Sequence, residues 1–295
     1  MGCDGPKRAY YSREVGKSGK RGITFNRNLS LSGIGFMVPC QQCIGCRLEH
    51  SRQWAIRCMH EKRMHNASEF LTLTYDDDHL PWADREPTLV RRDPQLFLKR
   101  LRKKFGGGIK FYGCGEYGET TFRPHYHLLL FGMEFPDKKF YKKSPTGENL
   151  YWSPVCEELW PDGFNVIGDV TFESAAYCAR YVTKKVTGDM ARAHYGFRVP
   201  EFPMMSRNPG IGMKWFEKYG KEAYAHDSVI MNGKEVRPPR FYDTKFELVD
   251  SDRLELLKAK RKRAALKHRA DNTPERRRVK EAIKYAKLAM FRREA

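Results

Sequence analysis

The segment Arg123-Pro-His125-Tyr126-His127-Leu-Leu-Leu-Phe131 decides the fold. From His125 to Phe131 it reads as a strand, and on a strand residues two apart face the same side. His125 and His127 therefore project together from one face. Working outward, Ile109 to Glu116 reads as a second strand, and Gly118-Glu-Thr-Thr-Phe-Arg-Pro124 between the two as a loop. The pair predicts an antiparallel hairpin with a long turn. Upstream, Glu69-Phe-Leu-Thr-Leu-Thr-Tyr75 is β-branched and aromatic, bounded by Asp76-Asp-Asp78, and predicts a further strand.

Helical patterns flank these strands. Leu48, Trp54, Ile56, Cys58 and Met59, interleaved with charged residues, predict an amphipathic helix from Gly45 to about His65. Asp93-Pro94 predicts a second helix start, with Asp93 capping its N–H groups, and Gly106-Gly-Gly108 ends it. Val166 to Val170 is a strand candidate, and Ser174 to Val186 a helix capped by Ser174 or Thr171. The expectation is an α/β (α+β) fold with a central antiparallel sheet, the histidine strand near its middle and a tyrosine-bearing helix across it. Residues 1–39 read as mostly extended or loop, 134–164 as an exposed insertion, and the tail as two helices, about 251–270 and 274–293. Four regions are expected: a cysteine-containing N-terminal region with its helix (1–65), a core (66–190), an aromatic and proline-rich extension (191–250) and a basic helical tail (251–295).

Composition narrows the function. The 295 residues carry 55 Lys+Arg against 36 Asp+Glu, a net charge of +19, and 40% are hydrophobic. That is enough for a core and too much for a disordered chain. The charge points to a polyanionic partner, most often nucleic acid. No apolar stretch approaches the ~20 residues of a membrane span, and no signal-peptide core is present. A membrane or secreted protein is not expected. From Ser251 to Ala295 there are 16 Lys+Arg and 6 Asp+Glu, so the tail carries +10 of the +19. Its clusters include Arg261-Lys262-Arg263 and Arg276-Arg277-Arg278, candidate phosphate contacts of a sequence-independent kind. Trp215, Phe216, Tyr219 and Tyr224 could stack on bases, though core packing is the expected use.

Three constellations could carry chemistry. His125 and His127 form half of a metal site, with Glu116 on the adjacent strand placed to complete it and Glu119, in the loop, a weaker alternative. Two imidazoles and a carboxylate with open positions suit a divalent ion that still binds phosphate and water. In Tyr177-Cys-Ala-Arg-Tyr181-Val-Thr-Lys184-Lys185 the two tyrosines, four apart, share a helix face, with Lys184 in the same stripe. A phenol is a poor nucleophile unless a metal polarises the phosphate it attacks and a cation steadies the developing charge. Finally, Cys40-Gln-Gln-Cys43-Ile-Gly-Cys46 sets three thiols ahead of a helix. With Cys3, or alternatively His50, as fourth ligand they could make a structural Zn²⁺ site. Reduced cysteines packed under the helix are the plainer alternative.

Taken in order, these motifs resemble those of HUH endonucleases, the rolling-circle replication initiators. Phe70-Leu-Thr-Leu-Thr-Tyr75 resembles the first motif, His125-Tyr126-His127 the second, and Tyr177 to Lys185 the third in its two-tyrosine form. Cys40 to Cys46, Ser51-Arg-Gln-Trp-Ala-Ile-Arg57, Gly115-Glu-Tyr-Gly118 and Arg123-Pro-His125 more narrowly resemble replication proteins of gokushoviruses, small single-stranded DNA phages. The likeness covers about residues 40–187. Tyr126 departs from the aliphatic residue of many relatives and is expected as an outward-facing ring; Arg180 stands where some carry Lys. The resemblance implies nicking and rejoining of single-stranded origin DNA through a 5′-phosphotyrosine link. Tyr177 and Tyr181 would be nucleophiles, Lys184 the charge stabiliser with Lys185 behind it, and His125, His127 and Glu116 the ligands of Mg²⁺ or Mn²⁺. It also implies DNA contact by Arg123, host helicase and polymerase as partners, and the cytoplasm of a bacterial host. A two-tyrosine transposase or plasmid initiator shares this chemistry. A non-catalytic nucleic-acid-binding protein would leave the tyrosine pair and the histidines without a use.

Overall fold

The computed structural model describes residues 2–16, 19, 21–180, 185–186 and 188–292. The N-terminal stretch forms β1 (Lys7–Val15), β2 (Arg21–Thr24) and β3 (Phe36–Val38), a small antiparallel sheet ordered β2-β1-β3. Then come α1 (Ile44–Lys62), β4 (Ser68–Thr74), the short pair β5 (Trp82–Ala83) and β6 (Glu86–Pro87), and α2 (Arg92–Phe105). The central hairpin is β7 (Lys110–Tyr117) and β8 (Pro124–Phe131). It is followed by β9 (Lys139–Lys143), β10 (Asn149–Trp152), α3 (Pro154–Leu159), β11 (Asn165–Gly168), α4 (Phe172–Ala179), α5 (Met190–Tyr195) and β12 (Phe202–Met205). The remaining elements are α6 (Met213–His226), the hairpin β13 (Val229–Met231) and β14 (Lys234–Val236), α7 (Arg240–Phe246), α8 (Ser251–Leu266) and α9 (Pro274–Arg292). By backbone proximity the chain forms two compact units, one of Met1–Glu49 with Lys258–Ala295 and one of His50–Leu257.

The larger unit is built on a seven-stranded antiparallel sheet ordered β12-β7-β8-β4-β11-β10-β9, so the histidine strand is flanked on both sides. Both sheet faces are covered, which is why Leu128-Leu-Leu-Phe131 is a continuous apolar run and not an alternating one. Leu128 and Leu130 join Leu71, Leu73 and Tyr126 in a core that includes Phe97, Leu98 and Leu101 of α2. On the opposite face Leu129 and Phe131 join Ala55 and Cys58 of α1 with Ala175, Cys178 and Ala179 of α4. The period-2 rule then puts His125 and His127 on the α1/α4 face. Gly113, opposite Leu128 on the α2 face, lets β7 and β8 approach closely: a Cβ at that position would meet the His127 carbonyl oxygen at 2.3 Å.

Several expectations need correction. Asp93 does not cap α2, which begins one residue earlier; its carboxylate accepts the Tyr75 hydroxyl at 2.5 Å. Tyr126 does not face outward. It is fully buried on the α2 face, donating to the Val90 carbonyl at 2.8 Å and accepting the Val90 N–H at 2.9 Å. Residues 134–164 are not a simple exposed insertion. β9 and β10 extend the sheet, and Trp160, fully buried, donates its indole N–H to the Thr74 carbonyl at 2.9 Å. The three-stranded N-terminal sheet buries few side chains, Ala9 and Tyr10 among those of β1, so it leaves little apolar periodicity to read.

Candidate active site

The site grows from register. Glu116 of β7 sits directly opposite His125 of β8, and Cys114 opposite His127; on the other flank Thr74 and Thr72 of β4 pair with the same two histidines. Glu116 and the two imidazoles therefore share one sheet face. Glu116 Oε1 lies 3.2 Å from His125 Nε2 and 3.2 Å from His127 Nε2. One donor atom from each of these residues falls within 4.8 Å of the others. Glu116 and His127 are buried and His125 is half-buried.

The outer contacts fix which nitrogen faces inward. His125 Nδ1 is 3.2 Å from the Arg123 carbonyl, an acceptor only, so a proton on Nδ1 satisfies that contact and leaves the Nε2 lone pair for a metal ion. His127 Nδ1 is 2.9 Å from the Thr72 hydroxyl, and Phe70 stacks on the His127 ring at 5.4 Å. Lone pairs and a carboxylate converging at about 3 Å repel unless a cation or proton sits among them. The donor set, its burial and its outer hydrogen bonds fit a divalent metal ion. Thr72 and Phe70 have no assigned role on sequence spacing alone. Their signal is the period-2 placement of Phe70, Thr72 and Thr74 on one face of β4, which acquires meaning only once the β4–β8 register is known.

α4 brings the phenol. Thr171 opens it with a capping box: its hydroxyl accepts the Ser174 N–H at 3.1 Å, and Ser174 Oγ accepts the Thr171 N–H at 2.9 Å. Ser51 of α1 donates its hydroxyl to the Ala176 carbonyl at 2.9 Å, tying the two helices together. Tyr177 then donates its hydroxyl to Glu116 Oε1 at 2.9 Å, with its ring edge-on to His127 at 5.1 Å. Burial, then the charge of Glu116, pushes the phenol well above its usual range, so it is held protonated. The residue is still 37% exposed, leaving the ring open to a substrate. Arg180 ends α4 and its guanidinium lies 5.7 Å from the Tyr177 ring.

Other expected residues lie elsewhere. Tyr181 and Lys184 lie outside the described residues, and Lys185 is half-buried just beyond them. Glu119 is in the exposed turn after β7 and outside the three-residue cluster. Arg123 contacts Asp77 Oδ1 at 2.5 Å and the Tyr75 carbonyl at 3.0 Å. Lys262, Arg263, Arg276 and Arg278 are exposed on α8 and α9, Arg261 and Arg277 half-buried. Trp215, Phe216 and Tyr224 pack in a core with Tyr242 and Phe246. Cys3, Cys40, Cys43 and Cys46 form the second cluster able to hold a metal ion among the described residues, and His50 instead accepts the Trp54 indole N–H at 3.2 Å. No helix among the described residues is long and apolar enough to cross a membrane.

Residues 68–186, from β4 past α4, match the family model described as Replication-associated protein ORF2/G2P. Fold and site thus fall in a class of replication-associated proteins. The chain is 37% identical over 226 residues to the replication-associated protein VP4 of Bdellovibrio phage phiMH2K, covering 74% of this chain and 70% of that one. It is 36% identical over 240 residues to the replication-associated protein ORF2 of Spiroplasma virus 4, covering 77% and 74%. To the replication-associated protein ORF4 of Chlamydia phage 1 it is 30% identical over 230 residues, 74% of this chain and 56% of that one. The chain belongs to this family of phage replication-associated proteins. No solved structure matches it.

Proposed function

We propose that this chain initiates rolling-circle replication of a single-stranded DNA phage genome, nicking and rejoining single-stranded origin DNA through tyrosine. The observation that carries the reading is the convergence of His125 Nε2, His127 Nε2, Glu116 Oε1 and the Tyr177 hydroxyl on one face of the sheet. Tyrosine Oη attacks the scissile phosphorus, the P–O3′ bond breaks, and the 3′ oxygen leaves as a free hydroxyl while the phenol gives up its proton. The 5′-phosphate stays on tyrosine. That ester keeps the free energy of the broken bond, so attack by a 3′-hydroxyl reseals the strand without ATP.

Glu116, His125 and His127 would hold Mg²⁺ or Mn²⁺, which when bound supplies Lewis-acid polarisation of a phosphate oxygen. Tyr177 is the first assigned nucleophile, and its partner in the hydrogen bond, Glu116, is the carboxylate within reach of its proton. Tyr181 as second nucleophile, Lys184 as countercharge and Lys185 behind it rest on spacing in the sequence. Two phenols four residues apart in the sequence would allow nicking and termination to alternate within one complex. The free 3′-hydroxyl calls for a host polymerase, and the duplex ahead of it for a host helicase, in the cytoplasm of the bacterial host.

The names of the relatives favour phage replication over a transposase or plasmid initiator of the same chemistry. A non-catalytic DNA-binding protein gives the four-group convergence no use. The test is incubation with tiled single strands of the phage genome and Mn²⁺. A detergent-resistant protein–DNA adduct on one fragment is expected, absent without metal and absent in a His125→Ala/His127→Ala variant. An adduct of equal yield in that variant overturns the reading.

A further inference from the structure

Four thiols gather in the smaller unit, outside the chemistry above. One Sγ from each of Cys3, Cys40, Cys43 and Cys46 lies within 4.8 Å of the others, and none forms a disulfide. Backbone N–H groups point at the sulfurs: Cys40 N–H to Cys3 Sγ at 3.2 Å, Cys43 N–H to Cys40 Sγ at 3.3 Å. Cys46 N–H and Asp4 N–H both reach Cys43 Sγ, at 3.4 and 3.2 Å. Donors aimed at sulfur favour the thiolate, and several thiolates this close require a cation. Zn²⁺ takes four thiolates tetrahedrally at about 2.3 Å, which sets the sulfur–sulfur edge at about 3.8 Å. Cys43 Sγ and Cys3 Sγ are 3.9 Å apart. The hole is thus sized for one ion, whereas a multinuclear iron–sulfur cluster would hold its cysteines further apart.

The residues beside Cys3 do a second job. Asp4 Oδ2 accepts the Gly45 N–H at 2.9 Å in the first turn of α1. The arm lies so close to that turn that a Cβ on Gly45 would meet the Gly2 carbonyl oxygen at 1.5 Å. Lys284 of the basic helix α9 donates to the Gly2 carbonyl at 3.2 Å and pairs with Asp4 Oδ1. Whatever fixes Gly2 to Asp4 therefore also fixes the seat of α9.

We propose that Cys3, Cys40, Cys43 and Cys46 bind one Zn²⁺, which pins the N-terminal arm to the start of α1 and through that arm seats the basic helix α9. Coordination displaces the remaining thiol protons to solvent, with no redox step. The ion is structural and separate from the nicking chemistry, so either proposal can fail without the other.

The test uses the full chain purified without chelator and dialysed against Mg²⁺. Elemental analysis should find about one zinc per chain, retained in the His125→Ala/His127→Ala variant and reduced at least tenfold by Cys43→Ser. Should Cys43→Ser fail to fold, cobalt substitution of the wild-type protein reads the same site, with a sulfur-to-cobalt charge-transfer band and four-coordinate d–d spectrum expected. Hydrogen exchange across residues 274–290 should speed up at least tenfold on zinc removal, and equally in zinc-loaded Lys284→Ala. Iron in place of zinc, zinc lost with the histidines, or a six-coordinate cobalt spectrum overturns the metal assignment. Zinc bound without any change in α9 exchange on its removal overturns the coupling.

Discussion

On the proposed reading Glu116 is the residue where metal, base and nucleophile would meet, because its Oε1 touches both imidazoles and the Tyr177 hydroxyl. Thr72 stands behind His127 and orients its ring through the hydroxyl. Replacing it with valine keeps the shape and removes the hydroxyl. Thr72→Val should weaken Mn²⁺ binding by about 10–100-fold, read by calorimetric titration, with the melting curve little changed. Unchanged affinity would detach His127 from the metal. His60 supplies a pH test independent of the site. It is fully buried, stacked on Trp215 at 3.5 Å with Nδ1 3.0 Å from the Tyr242 hydroxyl, and burial pushes its pKa down from 6.5 to about 3. Between those values the unfolded chain binds a proton that the folded one refuses, so stability is full above about pH 6.5 and lost as pH falls towards about 3. The contribution is at most about 1.4 kcal/mol per pH unit. Denaturant titrations from pH 4 to pH 7 should show a shallower slope in His60→Phe; identical slopes would refute the assignment. The histidine pair is legible in the sequence because strand periodicity is local. The roles of Thr72 and Tyr126 are not, since they depend on which strand lies alongside and which helix lies beneath.

The elements repeat that lesson. The histidine hairpin, β4 and the start of α4 are legible because each has its own period, cap or turn, and the Thr171–Ser174 box shows in the sequence as a polar start to an apolar run. The helix expected to reach Val186 instead ends at Ala179, and residues 185–186 are not helical. The hairpin of β9 and β10 is hidden because its outer strand β9 is exposed throughout and rich in lysine, so that it looks like a loop. The N-terminal sheet is hidden for the same reason. Asp93 misleads because a carboxylate before proline reads as a cap, whereas burial of Tyr75 gives it a different partner. The hairpin also makes a sharp test of the close strand approach. Gly113→Ala forces a Cβ within 2.3 Å of the His127 carbonyl and 2.7 Å of Leu128 Cδ2, in the strand that carries the candidate ligands His125 and His127. Thermal melts should show a loss of about 1–3 kcal/mol, with Mn²⁺ affinity falling alongside. A neutral substitution would mean that β7 and β8 do not approach as closely as described.

At the scale of the molecule the charge of +19 divides by unit. α8 begins with Leu254 and Leu257 in a core of the larger unit, and the lysine and arginine clusters that follow belong to the smaller one. That bias is why composition points to a polyanion without indicating chemistry. Replacing Arg276, Arg277 and Arg278 with glutamine should weaken single-stranded DNA binding at every sequence. The slope of log affinity against log salt should become shallower by about 0.7 for each phosphate no longer neutralised, with adduct yield at saturating DNA unchanged. An equal loss of adduct at saturation would place those arginines in the chemistry. The central claim of the proposal is narrower: Tyr177, whose hydroxyl meets the His₂–carboxylate cluster, or Tyr181 four residues on in the sequence, becomes covalently joined to DNA. Digesting the Mn²⁺-dependent adduct with nuclease and protease and sequencing the nucleotide-bearing peptide by mass spectrometry tests it directly. The account predicts a 5′-phosphate ester on Tyr177 or Tyr181, lost in the Tyr177→Phe/Tyr181→Phe variant; a nucleotide on any other residue, or undiminished adduct in that variant, contradicts it.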